Sequence, residues 1–278
     1  MTRQPAIEVR NLSKRFRLRH SSGSLKNLFL RRTGSAREDL LALNGVSFTV
    51  QPGETVAVIG RNGSGKSTLL GILARVYRPL SGEVVVRGRV APLLELGAGF
   101  HEDLTGLENI SLHGSILGMT RARVLEQTPS IIEFAELEHF IDTPIRGWSA
   151  GMVMRLGFSI AVHSDPDLLL VDEVLAVGDE AFQAKCYRRI AGFQEQGKTI
   201  LFVSHDLDAV RRVAARVLWI SDGQLRMDGP TREVVSAYHT ASPLSASELA
   251  AVPLAMLGRW VACRTEGVMK VPTERRVE

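Results

Sequence analysis

Apolar positions along this chain follow two rhythms. Continuous apolar runs occur at Val56 to Ile59, at Leu168 to Val171 and at Thr199 to Val203; a strand has this pattern when both faces of its sheet are covered, as in a parallel sheet. The second rhythm has helical spacing. Leu69 to Leu73 follows the first run across a glycine-rich loop, and Met152, Val153, Leu156 and Ile160 recur behind Ser149, a favourable N-cap. Trp219 to Leu225 has the pattern of a last strand with a turn, and Thr231 to Tyr238 that of a closing helix. Strands alternating with helices predict an α/β fold around a parallel sheet, with a helical region inserted over roughly 94–163.

The loop after Ile59 carries the most specific pattern. Gly60 to Thr68 is Gly-Arg-Asn-Gly-Ser-Gly-Lys-Ser-Thr, which fills G-x-x-x-x-G-K-[ST] between a strand and a helix. Glycines let the backbone wrap phosphates, and successive N–H groups at a helix N-terminus donate to them. Lys66 places a point charge beside the β- and γ-phosphates, and the Ser67 hydroxyl is suited to ligate Mg²⁺. Gly60, Asn62, Gly63, Ser64, Gly65, Lys66, Ser67 and Thr68 are therefore the expected nucleotide contacts, with ATP and Mg²⁺ as the ligands. A second element follows a hundred residues later, where the run Leu168 to Val171 ends in Asp172 and Glu173. Asp172 is expected to hold Mg²⁺ directly or through water, and Glu173 to polarise the attacking water as general base. In open parallel sheets ligands sit beyond the carboxyl ends of the strands, so this pair and the phosphate loop converge there. The run ending at Val203 leads into Ser204, His205 and Asp206. His20, His101, His113, His139, His163 and His239 read as structural, but the position of His205 lets it reach the γ-phosphate and position Glu173 and the water.

Composition is that of an ordinary globular protein, 45% apolar and 23% charged over 278 residues. The first ten residues do not form a secretory signal, and no apolar run approaches the length of a membrane span, so any membrane role needs a partner. Cys186 and Cys263 are far apart and lack metal-ligand spacing, which fits a reducing compartment. The net charge of +4 is small but uneven: Arg10 to Arg37 holds nine basic residues and no acidic one. That run is consistent with a solvated loop, an anionic membrane surface or phosphorylated ligand, or nucleic acid. Within it, Ser24 to Leu30 has the spacing of a short amphipathic helix, with Leu25, Leu28 and Phe29 on one face.

These motifs, in this order, resemble the ABC ATPase family over about residues 6–240. The family's Leu-Ser-Gly-Gly-Gln signature has its counterpart in Trp148, Ser149, Ala150, Gly151 and Met152. The resemblance implies that Ser149 and Gly151 meet the γ-phosphate of an ATP held by a second copy of the chain, so that the site is complete only in a two-fold sandwich. It also implies that Asp179, after Ala176, Val177 and Gly178, touches the partner across the dimer, and that Phe16 stacks on adenine. The implied fold is an α/β P-loop ABC ATPase core with a mostly parallel sheet, an N-terminal antiparallel β region and an inserted helical subdomain. The implied domains are an ATPase domain over 1–240, carrying the basic insert at 20–38 and the helical subdomain at about 94–163, and a short extension over 241–278.

Further features are similar to one branch of that family. Leu94 to His101, Leu-Glu-Leu-Gly-Ala-Gly-Phe-His, stands where most members have a glutamine-containing loop and resembles the form found in bacterial polysaccharide exporters, with Glu95 the nearest substitute for the glutamine as a metal ligand. The Ser24 to Arg32 segment resembles the short helix that this branch places near the membrane entrance, and the Ser-x-Gly-Met signature is similar to the branch's own. The residues after Pro243 are too few for the carbohydrate-binding β-sandwich that some members carry; Leu254, Leu257, Trp260 and Val261 there have the spacing of a docking helix. The resemblance implies a peripheral ATPase on the cytoplasmic face of a bacterial inner membrane. Its partners would be two transmembrane permease subunits and, through them, a lipid-linked polysaccharide; no nucleic-acid partner is expected.

Overall fold

The computed structural model describes residues 4–18, 38–94, 96–97, 99–172 and 178–241. Two sheets and a helical layer make up the described chain. Strand β1 (Ile7–Leu18) pairs antiparallel with β2 (Glu38–Val50) and, on its other side, with β4 (Ser81–Val86), giving the order β2-β1-β4. The second sheet has the order β5-β6-β7-β3-β8-β9, from β3 (Thr55–Ile59), β5 (Val90–Leu93), β6 (Leu168–Val171), β7 (Thr199–Val203), β8 (Arg216–Ser221) and β9 (Gln224–Pro230). Its pairs are parallel from β5 through β8, and β9 closes the edge antiparallel to β8. The antiparallel β region is thus as the resemblance implied, and the mostly parallel sheet as the apolar runs predicted.

Helix α1 (Lys66–Leu73) lies in the core shared by the two sheets. Leu69, Leu70, Ile72 and Leu73 pack with Ile7, Val9, Leu43 and Val46 of the antiparallel sheet and with Val56, Val58, Leu168, Leu201 and Leu218 of the parallel one. Every residue of β6 and β7 is buried, which explains why these strands are continuous apolar runs without alternation.

Between β5 and β6 the chain forms α2 (Gly106–Ile116), α3 (Arg121–Ala135), a 3₁₀ turn (Ile145–Gly147) and α4 (Ala150–His163). These helices share a core of Ile110, Val124, Ile131, Leu137, Ile141, Leu156 and Ile160, with Trp148 and Met152 packed against it. Thereafter come α5 (Glu180–Glu195), α6 (Leu207–Val213) and α7 (Thr231–Ala241). Residues up to Ser236 belong to one compact unit, and the last turn of α7, from Ala237, to a second. Among the described residues no helix is long and apolar enough to cross a membrane. The expected amphipathic helix at Ser24 to Leu30 and docking helix around Trp260 lie outside the described residues, as do Glu95 and Glu173.

Candidate nucleotide site

Parallel pairing brings the predicted strand ends to one edge. Val58 is level with Val203, and Val171 with Phe202, so Gly60, Asp172 and the Ser204–His205 pair leave the sheet side by side. The phosphate loop Gly60–Gly65 closes this edge, and Gly65 is the N-cap of α1 with φ 108°. Each glycine has its own reason. A Cβ at Gly60 would stand 2.1 Å from the Ile220 carbonyl oxygen, and one at Gly65 2.5 Å from that of Ala42, so backbone approach excludes any side chain there. Gly63, at φ 78°, has open space where a Cβ would be; its glycine serves conformation and leaves the mouth of the loop clear.

Lys66 is buried, and its Nζ donates to the carbonyls of Gly60 at 2.8 Å and Arg61 at 3.0 Å. The charge therefore stands over the loop that must hold phosphate. Ser64 is also buried, and its Oγ has no hydrogen-bond partner. A buried hydroxyl in that state costs free energy until something bonds it, and a phosphate oxygen seated in the loop is suited to do so. Asn62 is exposed at the loop tip, and Thr68 is half-buried on the first turn of α1.

Ser67 and Asp172 line one cavity of about 260 Å³, together with Gly71, Tyr77, Leu94, Leu96, His113 and Ala161. A hydroxyl and a carboxylate at a phosphate loop form the partial oxygen set that Mg²⁺ takes when phosphates and water complete its shell. Among the described residues no cluster of His, Cys, Asp or Glu could form a metal cage unaided. His205 is exposed just beyond β7, and Asp206 caps α6 by accepting from the N–H groups of Asp208 at 2.9 Å and Ala209 at 3.0 Å. The Ala209 bond first, and then that of Asp208, holds the Asp206 carboxyl below its ordinary pKa against the opposing effect of burial.

Phe16 is half-buried on β1, edge-on to Tyr77 at 5.5 Å between centroids, with Lys14 Nζ 5.0 Å from its ring centre. Ser149 is exposed and caps α4, accepting from Met152 N–H at 3.2 Å. Trp148, where the usual signature has leucine, packs into the helical core and donates to Thr143 Oγ1 at 2.9 Å. Gly151 contrasts with Gly60. Among the described residues a Cβ there would meet only Ser149 Oγ, at 3.8 Å, so none of them requires glycine at this position. Asp179 is exposed and caps α5, accepting from Phe182 N–H at 2.9 Å. The heads of α4 and α5 are outside the Ser67–Asp172 cavity, which α4 reaches only at Gly157 and Ala161, on the order of 9 Å or more further along its axis.

Leu96 and Gly97, between β5 and α2, lie against α4. Gly97 (φ 126°) approaches Val153, and a Cβ on Gly157 would stand 3.2 Å from Gly97 N. Asn109 is fully buried and fixes the stretch that follows. Its amide accepts from His101 N–H at 2.8 Å and donates to the carbonyls of His101, Leu104 and Thr105 at 2.9–3.1 Å. Thr105 and Glu108 complete a reciprocal capping box at the start of α2. Tyr77 and Gly223 were not anticipated. Gly223 N–H donates to the Ser64 carbonyl at 3.0 Å, bracing the phosphate loop.

A glycine-rich loop between a parallel strand and a helix, with a hydroxyl and a carboxylate at the strand ends, defines a P-loop nucleotide-binding protein. The ABC transporter family profile matches residues 43–176. RfbB of Klebsiella pneumoniae, an O-antigen export system ATP-binding protein, is 47% identical over 243 residues, which is 86% of this chain and 99% of that one. TagH of Listeria innocua, a teichoic acids export ATP-binding protein, is 42% identical over 233 residues, 84% of this chain and 69% of its own length. Among solved structures, a dimeric ATP-binding cassette in a post-hydrolysis state with ADP and Pi superposes with a TM-score of 0.65 at 22% identity, covering 81% of this chain and 99% of that one. The chain belongs to the ABC transporter family, as an ATP-binding subunit with ATPase activity.

Proposed function

We propose that this chain powers the export of a lipid-linked polysaccharide across the cytoplasmic membrane of a bacterium, working at the inner face with two transmembrane subunits. The observation that carries this reading is the 47% identity to an O-antigen export ATP-binding protein across 99% of that protein's length. The teichoic acids export relative points to the same cargo class, and so does the Leu94–His101 sequence, which resembles the form found in polysaccharide exporters.

In this reading Lys66 and the loop N–H groups from Gly60 to Thr68 hold the phosphates, Phe16 takes the adenine, and Ser67 with Asp172 holds Mg²⁺. Glu95 is a further candidate ligand. Mg²⁺ would neutralise charge on the β- and γ-phosphates. Glu173 takes the proton of the attacking water, and His205 orients both. The site is shared between two copies of the chain: Ser149, Gly151 and Asp179 close the nucleotide held by the partner. What supports this is the exposure of Ser149 and Asp179 together with a glycine at 151 that no contact among the described residues explains.

The test is replacement in the host with Glu173→Gln. The expected result is retained ATP binding, turnover reduced by at least about a hundred-fold, and a lipid-linked glycan accumulating in the cytoplasmic leaflet. Unchanged hydrolysis removes Glu173 as the base, and an unchanged glycan distribution removes the export function.

A further inference from the structure

Cationic side chains of α5 close the C-terminal ends of two other helices. Lys185 Nζ donates to the Phe134 carbonyl at 2.9 Å, lies 3.2 Å from Glu136 Oε1 and sits over the Phe134 ring. Arg189 donates to the Val162 carbonyl at 3.0 Å. From α4, Arg155 Nε donates to the Ala135 carbonyl at 3.0 Å, and its guanidinium pairs with Glu136 and lies 4.7 Å from the centre of the Phe182 ring. Helix C-termini end in unsatisfied carbonyls and partial negative charge, so each cation meets a group that the helix itself cannot satisfy.

Glu136 is the shared anion. It follows α3 in the left-handed conformation, φ 56°, which carries its carboxylate between Arg155 and Lys185. Burial raises its pKa, but Lys185 and Arg155 together outweigh that and hold it below the ordinary glutamate value. Phe134 and Phe158 stack, Phe182 meets both edge-on, and Phe182 is the residue whose N–H Asp179 caps. Arg155 stands four residues beyond Gly151, about 6 Å along α4, and Lys185 six residues beyond Asp179, about 9 Å along α5.

We propose that Glu136, Arg155 and Lys185 are positioning residues that lock α4 to α5, so that the Ser149–Gly151 head and Asp179 are presented to the partner's nucleotide as one rigid unit. The inference rests on the shared-site reading above. Two heads that must engage one ligand together lose rate steeply when either is misplaced by as little as about 1 Å. A three-way ionic clamp on the cores of both helices holds their relative position without touching nucleotide.

The full-length chain with Glu173→Gln, and the otherwise unaltered chain, are each compared with Lys185→Met, Glu136→Gln and the conservative Lys185→Arg. The readouts are affinity for a fluorescent ATP analogue, ATP-driven dimerisation by sedimentation, KM, kcat and thermal midpoint. The expected result is analogue affinity and KM within about two-fold of the parent, with kcat and the dimerisation constant lowered about ten-fold in Lys185→Met and Glu136→Gln and restored in Lys185→Arg. The double variant Glu136→Gln/Lys185→Met should lose less than the two single losses combined, because both changes remove the shared Lys185–Glu136 pair. A Glu173→Gln chain that fails to dimerise with ATP removes the shared-site reading and this inference with it. If it dimerises, and Lys185→Met and Glu136→Gln dimerise and turn over equally well, the inference alone falls. It also falls if their losses follow the thermal midpoint and analogue affinity down together.

Discussion

Burial decides the chemistry of Cys186. The side chain is fully buried on α5, and desolvation pushes its thiol up to about 12 against the weaker pull of Lys185 and Arg155. The thiolate is the reactive form, so the folded protein protects this cysteine. At pH 8 a maleimide should leave Cys186 unmodified in the native chain and label it fully in denaturant, as read by peptide mass spectrometry; rapid native labelling would contradict the placement. The linkage has a defined sign. A folded pKa above the unfolded value of about 8.5 gives stability that is complete below that value and is lost as pH rises toward the folded one, so Cys186→Ala should flatten the alkaline limb of the stability profile.

Glycines show at the same scale what a sequence discloses. The phosphate-loop pattern announced Gly60 and Gly65, and the structure supplies the reason in carbonyl oxygens that a Cβ would strike. Spacing could not announce those oxygens, because Ile220 and Ala42 come from distant strands. Ser64 was named as a phosphate contact; that its hydroxyl is buried without a partner was not legible, since burial is a property of the assembled loop.

Among the elements, α2 is the one whose start is most fully specified. Asn109 bonds one N–H and three carbonyls from a fully buried position. Asn109→Leu keeps the volume roughly constant and takes from the His101 N–H its acceptor, while the three carbonyls keep their backbone donors, so it should cost about 1–3 kcal/mol by denaturant unfolding. A loss below about 0.5 kcal/mol would mean that water replaces the amide. The neighbouring Glu108 carboxyl is held below its ordinary pKa by the Thr105 N–H first and then by its hydroxyl. Its contribution is present above the unfolded glutamate pKa and disappears as pH falls through the lowered folded value.

Elements differed in how openly the sequence declared them. Strands β3, β6 and β7 and helices α1 and α4 were plain, because a strand buried on both faces and a capped amphipathic helix each have a periodicity of their own. Strands β1 and β2 were not. They are long and partly exposed, and their pairing shifts register between Val9 and Leu12 and again near Lys14, which breaks the alternation that would have marked them. The clamp at Glu136, Arg155 and Lys185 was invisible for a different reason: its members come from α4, α5 and the residue that ends α3, and meet only after packing.

For the molecule as a whole, the phosphate loop is where the two sheets meet. Gly223, in the turn between β8 and β9, donates to the Ser64 carbonyl at 3.0 Å and accepts from Asn44 N–H of β2 at 2.8 Å. A Cβ on Gly223 would stand 2.8 Å from the Ala42 carbonyl oxygen, and its φ is 73°. Gly223→Ala should therefore lower nucleotide affinity about ten-fold or more through strain of roughly 1–3 kcal/mol passed to the loop. Gly45→Ala is the control, because Gly45 shares the positive φ but has open space around it and does not touch the loop. Equal affinity in the two variants, measured by titration calorimetry, would show that the brace carries no load. To a geneticist collecting loss-of-function alleles without coordinates, position 223 would map as though it belonged to a motif that ends at Thr68, and its phenotype would be mistaken for a defect in grasping the nucleotide.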